Sequence, residues 1–226
     1  MRGNRTGVAR VQIQPLRQLG GAAADLQVGA GWARSDLDEG VPAVRGRTAF
    51  EQTYFGSDYP VLGHRTRTGL ELRWRPGPFS IKSEIIRLSD DRREQSVEDT
   101  DLSPVRAIGW YFSGSWVITG EAKEDGVNPR RPVHQGGAGA VEVAARLEEL
   151  RFESGEATEE PSTSPRAEVI VGNANRSSTL GVTWYLNRWV KMQFNLIRET
   201  LRDPLQGPLP ETPTYWSRVF RIQFIL

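Results

Sequence analysis

The chemistry this chain can offer is that of fixed positive charge. Arg65, Arg67 and Arg73 recur at even spacing with one acid, Glu71, among them, so an extended backbone would set all four on one face. Lys82, Arg146, Lys191 and Arg221 take the same parity in later segments, and Arg10 does so earlier. Guanidinium and ammonium groups along a water-filled path would offer an anion charge and paired donors, weakly enough at each step to let it leave. Glu71, Glu84, Glu142 and Glu148 share that parity, so a mixed ladder that mainly stabilises a wall is an equal reading. Arg65, Arg67 and Arg73 are the residues favoured for conduction.

Catalytic chemistry has little to build on. The two histidines, His64 and His134, adjoin expected loops and lack partners at metal-ligand spacing. His64 with Asp58 is the one local candidate pair, and a solvated loop contact is much the better account of it. Gly136-Gly-Ala-Gly139 leads into a strand, whereas a nucleotide fingerprint must open a helix. With 0 cysteines there is neither a disulfide framework nor a thiolate metal site. No enzyme activity, cofactor or metal is expected.

Composition narrows the class further. The 226 residues are 38% apolar and 25% charged. Mean hydropathy is −0.48, and no run of roughly 18 apolar residues exists to cross a bilayer as a helix. A β-barrel escapes that test, because only alternate residues of each strand must be apolar. The formal charge of +1 carries no basic signature for nucleic acid. Lysine is confined to Lys82, Lys123 and Lys191, so arginine supplies nearly all the positive charge, through a GC-rich genome or through anion handling. Met1-Arg-Gly-Asn-Arg-Thr6 lacks the apolar region of a secretory signal, so a mature or partial sequence is expected.

The elements that must position the charges alternate with period two. Expected strands run over Val8–Gln14, Asp25–Ala33, Arg65–Trp74, Phe79–Leu88, Arg106–Glu121, Gly139–Phe152, Ser178–Leu186 and Val190–Arg198. The Glu-rich end of the sixth has helical propensity too. In each strand one face is apolar: Thr68, Leu70, Leu72 and Trp74 oppose Arg67, Glu71 and Arg73. The last segment, from Arg218, puts Phe220, Ile222, Phe224 and Leu226 on one face and stops there. Strands of about 9–11 residues with tryptophans on apolar faces or near strand ends suit a membrane wall with an aromatic girdle. A soluble β-sandwich ligand-binding protein, or a non-transport wall segment of a larger assembly, is the alternative.

Turn chemistry orders the strands. Arg75–Pro78 and Asn187-Arg188 are short, as periplasmic turns are; 89–104 and 153–176 are long and polar, as extracellular loops are. Ala122–Gly137 is then an unusually long periplasmic connection. Parity gives about nine strands with Val44–Tyr54 as an extracellular excursion, or ten if that segment spans. An odd antiparallel set cannot close without a parallel seam, so further strands are expected before Met1.

These residues resemble the phosphate-selective porins of the O/P type. The stretches that carry the likeness are Gly77-Pro-Phe-Ser80 with Glu84, Gly109-Trp-Tyr111 leading to Thr119-Gly-Glu121, and Gly139–Arg146. Leu180-Gly-Val-Thr-Trp-Tyr-Leu-Asn187 and Arg221-Ile-Gln-Phe224 complete it. The resemblance runs from Val8 to Leu226 and corresponds to the family's C-terminal half. It implies part of a sixteen-stranded antiparallel barrel, a homotrimer, a place among bacterial outer-membrane lipid, and passage of small inorganic anions such as phosphate. It also implies that Phe220, Ile222, Phe224 and Leu226 form the signal read by the barrel-assembly machinery. The inward-folded loop of the family is expected to be missing.

Overall fold

The computed structural model describes residues 4–56, 60–123, 126–155, 160–208 and 211–225. Its strands are β1 (Arg5–Ile13), β2 (Gln27–Pro42), the short β3 (Gly46–Arg47) and β4 (Thr53–Phe55), and β5 (Pro60–Trp74). They continue as β6 (Phe79–Arg92), β7 (Leu102–Val117), β8 (Ala140–Ser154), β9 (Asn173–Tyr185), β10 (Val190–Leu201) and β11 (Thr214–Phe224). Nine of them form one antiparallel sheet in the order β1-β2-β5-β6-β7-β8-β9-β10-β11, and β3 pairs with β4 apart from it. The sheet is not closed: β1 and β11 are its two edges.

Register assigns the faces. Leu70 lies opposite Ile85, Ile85 opposite Trp110, Phe112 opposite Leu147, and Phe194 opposite both Val182 and Phe220. This outer face meets no second sheet among the described residues; Phe112, Trp116, Leu180, Phe194 and Phe220 are exposed on it. A sandwich would cover such a face, whereas a membrane wall presents it to lipid. Trp74 and Trp184 close its lower margin, their ring N–H groups donating to the carbonyls of Ala22 (2.8 Å) and Ala138 (2.7 Å). Phe220, Ile222 and Phe224 lie on the same face, while Leu226 lies outside the described residues.

The strands outrun the apolar stretches from which they were read. β2 and β7 reach 16 residues, because the hydrogen-bond ladder continues into polar ends that water also accepts. β8 carries its ladder through Glu148 and Glu149, so pairing on both sides overrides local helix propensity there. β7 stops at Val117 rather than Glu121; Gly120, at φ 88°, turns the chain into the 118–139 connection. That connection folds back under the short turns, with Lys123 N–H on Gly77 O (2.8 Å) and Val133 N–H on Leu186 O (2.8 Å).

Val44–Tyr54, expected as an extracellular excursion or a tenth spanning strand, stays out of the sheet and folds inward within residues 43–56. The excursion bends over the inner face and anchors there. Phe55 stacks on Phe152 with ring centroids 4.2 Å apart and planes 7° apart, and Tyr54 meets the same ring edge-on at 6.2 Å. Asn173 Nδ2 donates to Tyr54 O (2.8 Å), Tyr54 Oη to Leu150 O (3.3 Å), and Ala49 N–H to Glu199 (3.1 Å). Burial, with the charge of Glu199 second, raises the Tyr54 hydroxyl pKa and keeps it a donor. Gly46 passes so close that a Cβ would sit 2.6 Å from the Phe152 ring. The main apolar core of the described residues, with Leu37, Val61, Val105, Ile170 and Leu201, surrounds this contact.

Phe152→Ala should therefore cost about 3–5 kcal/mol and release the segment without dissolving the sheet. Trypsin would then cut at Arg45 and Arg47 while the β-type circular dichroism persists; protection of both bonds would refute the anchoring role.

Candidate anion path on the inner face

The expected charged residues all fall on the inner face by register, but they do not form one array. Arg73 pairs with Lys82 across β5 and β6, Lys82 faces Ser113, and Ser113 faces Arg146, so three cations share one row. The neighbouring row holds Glu71, Glu84, Tyr111, Glu148, Ser177 and Glu199. A basic row thus lies directly against an acidic one.

Arg65 departs from its expected role. Its Nε and Nη2 reach the two oxygens of Asp90 at 2.6 and 2.8 Å, and Nη2 also donates to Pro42 O (3.3 Å). Asp90 is 0% exposed, so this bidentate pair fastens β5 to β6 at the root of the inward segment and is withdrawn from solvent. Arg67 is exposed on the inner face, beside the cleft where Arg10 bonds Glu71. Arg73 Nη2 donates to Gln27 (2.7 Å), and its buried Nε has no partner. Lys82 is exposed. Arg146 lies over the Tyr111 ring at 3.8 Å and pairs with Glu148 at 2.7 Å. Lys191 lies 5.7 Å from the Tyr185 ring, and Arg221 stands opposite Gln193.

Two clefts meet at Arg146. One, of about 480 Å³, lies between the inward segment and the sheet, with Arg45, Arg47, Tyr111 and Glu148 on its walls. The other, of about 410 Å³, opens toward the short-turn end and gathers Lys82, Lys123, Arg146 and Lys191 around the hydroxyls of Ser80 and Ser115. Lys123 was not foreseen as part of this face. It comes from the 118–139 connection and inserts its ammonium among Glu142, Ser115 (2.6 Å) and Ser80 (3.2 Å). Tyr185 Oη donates to the same carboxylate at 2.7 Å. Four cations against one tied carboxylate leave this cleft electropositive, and its hydroxyls suit an oxyanion.

The histidine reading resolves into a polar cluster. His64 Nδ1 lies 3.0 Å from Asp91 Oδ2 and Nε2 3.4 Å from Asp36, at the rim rather than in either cleft. Asp58, its expected partner, lies outside the described residues. No cluster of metal-ligating side chains occurs among the described residues.

The connection that delivers Lys123 has its own clasp. Glu121 bonds Thr119 Oγ1 and accepts the Arg130 N–H at 3.2 Å, and Arg130 Nη2 donates to Gly120 O (2.9 Å). Burial opposes ionisation of Glu121, but those two hydrogen bonds and the Arg130 charge outweigh it and hold the carboxyl below the ordinary 4.5. A lowered folded-state pKa means that the clasp contributes fully above the ordinary glutamate value and is lost as pH falls through the folded one.

Two outcomes follow. Protection of the Arg130 amide from hydrogen exchange should be lost as acidification passes below the ordinary glutamate range, and Glu121→Gln should remove that pH dependence. A pH-independent protection in the native chain would refute the clasp. Arg65→Gln should destabilise by about 3–5 kcal/mol, because Asp90 stays buried and loses its partner; a variant as stable as the parent in urea would return Arg65 to the list of free charges.

The family model described as phosphate-selective porin O and P matches residues 50–207, a stretch that includes the end of the inward segment, the basic row and the cleft at the short-turn end. No curated protein matches the chain. With most of its length matched, the chain belongs to the phosphate-selective porin O and P family of outer-membrane channels.

Proposed function

We propose that this sheet is the wall of a channel through which small inorganic anions such as phosphate diffuse, with the Arg73–Lys82–Arg146 row as its selective element. The observation that carries the reading is the position of Arg146. It borders both clefts at once, so an ion passing from the inward segment toward the short-turn end meets its guanidinium on the way. Lys82, Lys123 and Lys191 would receive the ion beyond it, offering charge without the bidentate geometry that would trap it. Pairing with Glu148 and stacking on Tyr111 orient Arg146 and moderate its field.

The same reading assigns the long connections to the extracellular side and the short turns to the periplasm. It assigns Phe220, Ile222 and Phe224 to recognition by the barrel-assembly machinery, in a homotrimer set in outer-membrane lipid. Family membership and the uncovered apolar face support these assignments.

The test is conductance of the refolded chain in planar bilayers, with reversal potentials measured in a KCl gradient. Discrete anion-selective steps are expected. Lys82→Gln with Arg146→Gln should lower the anion-to-cation permeability ratio by about two- to fivefold while steps persist. Cation-selective steps, or a ratio unmoved by both substitutions, would overturn the assignment.

A further inference from the structure

The outer face carries arginines as well as apolar residues, and they are confined to one margin. Arg87 and Arg151 flank Ile108 in one register row, and Arg106 stands one row nearer the long connections. Across the sheet the arginines step toward the short turns. Arg176 is one row below Arg151, Arg198 one row below that, and Arg218 one row lower again, each time just above apolar neighbours such as Leu180, Phe194 and Phe220. A tilted strand must step in this way for a boundary to stay level, so Arg106, Arg151, Arg176, Arg198 and Arg218 mark one horizontal line, with Arg87 two rows below it on β6. Charge on a lipid-facing strand is costly at the bilayer midplane and nearly free at the headgroups, which fixes this line as the headgroup level.

Among the described residues Arg87, Arg106, Arg198 and Arg218 have no carboxylate partner, whereas Arg151 and Arg176 share Glu149 at 3.2 and 2.8 Å. Between β5 and β8 the band opens into a cleft of about 300 Å³ where Arg87, Arg106 and Arg151 converge with the hydroxyl-bearing Thr66, Thr68 and Ser89. Glu153 is the one carboxylate on its wall, and the buried Arg151 Nε lacks a hydrogen-bond partner. This cleft lies on the face opposite the ion path.

We infer that this outward-facing cleft binds the phosphate-bearing headgroup of a membrane lipid. Three guanidinium groups beside hydroxyls are the chemistry of phosphate recognition, and the apolar belt directly below would receive the acyl chains. A lipid phosphate supplies the charge that the unpaired members of the band call for. The inference rests on the membrane-wall reading above.

The experiment is a titration of the full chain, refolded in zwitterionic detergent, with diphosphoryl lipid A and with diacylglycerol, which carries no phosphate, followed by native mass spectrometry. The phosphorylated lipid should bind at least about tenfold more tightly, more weakly as salt rises. The triple variant Arg87→Gln, Arg106→Gln, Arg151→Gln should abolish the preference, and Arg166→Gln in the β8–β9 connection should preserve it. Equal affinity for the two lipids would overturn the inference, as would displacement by equimolar inorganic phosphate or cross-linking of two copies through the band with lipid excluded. If the triple variant fails to fold, the salt titration decides: affinity independent of salt overturns the inference. A chain that shows a heat-modifiable band but no lipid preference defeats this inference and leaves the wall standing. A chain that folds only without detergent defeats both.

Discussion

Every feature of this protein depends on one constraint: a backbone with no water beside it must satisfy its own hydrogen bonds. A continuous antiparallel ladder does so between the two edges, leaving one side of β1 and one of β11 to be met, and period-two geometry then divides the side chains between two environments. The outer face is free to be apolar because it needs no protein partner. The inner face is free to be charged because it faces water. The low mean hydropathy and the large uncovered apolar surface are two consequences of that division.

On the inner face, charge is arranged more by pairing than by number. Arg65 is withdrawn into a buried bidentate contact, and Arg146 is held by a carboxylate and an aromatic ring. Lys82 and Lys123 contribute from a strand and from a connection. The alternation of a basic row with an acidic row keeps the wall cohesive, while the electropositive cleft lies where the acid is already tied by Lys123 and Tyr185. On the proposed reading, wall stabilisation and ion handling fall to different members of one set of arginines.

Much of this was legible from residue order. Alternation located every sheet strand, and parity kept 44–54 out of the sheet, because both signals are local. Strand ends were not legible, since pairing persists where the apolar pattern has stopped. The inward segment was missed because its footing is remote, although a trace existed: Leu150 and Phe152 are apolar at inner-face parity, and they need something to cover them. Lys123 had no such trace. Its place depends on how the 118–139 connection folds back, and no periodic pattern encodes that.

The footing of the inward segment also sets an order of events. Tyr54 meets Leu150, Tyr54 meets Asn173, and Ala49 meets Glu199 across 96, 119 and 150 residues of chain. None of these contacts can repay its loop-closure entropy until β8, β9 and β10 stand in register. The strands that carry this footing are consequently paired before the segment is seated on them. On the proposed membrane reading, the segment stays free while the apolar strands find lipid, and the narrowing of the proposed path is the last step of assembly.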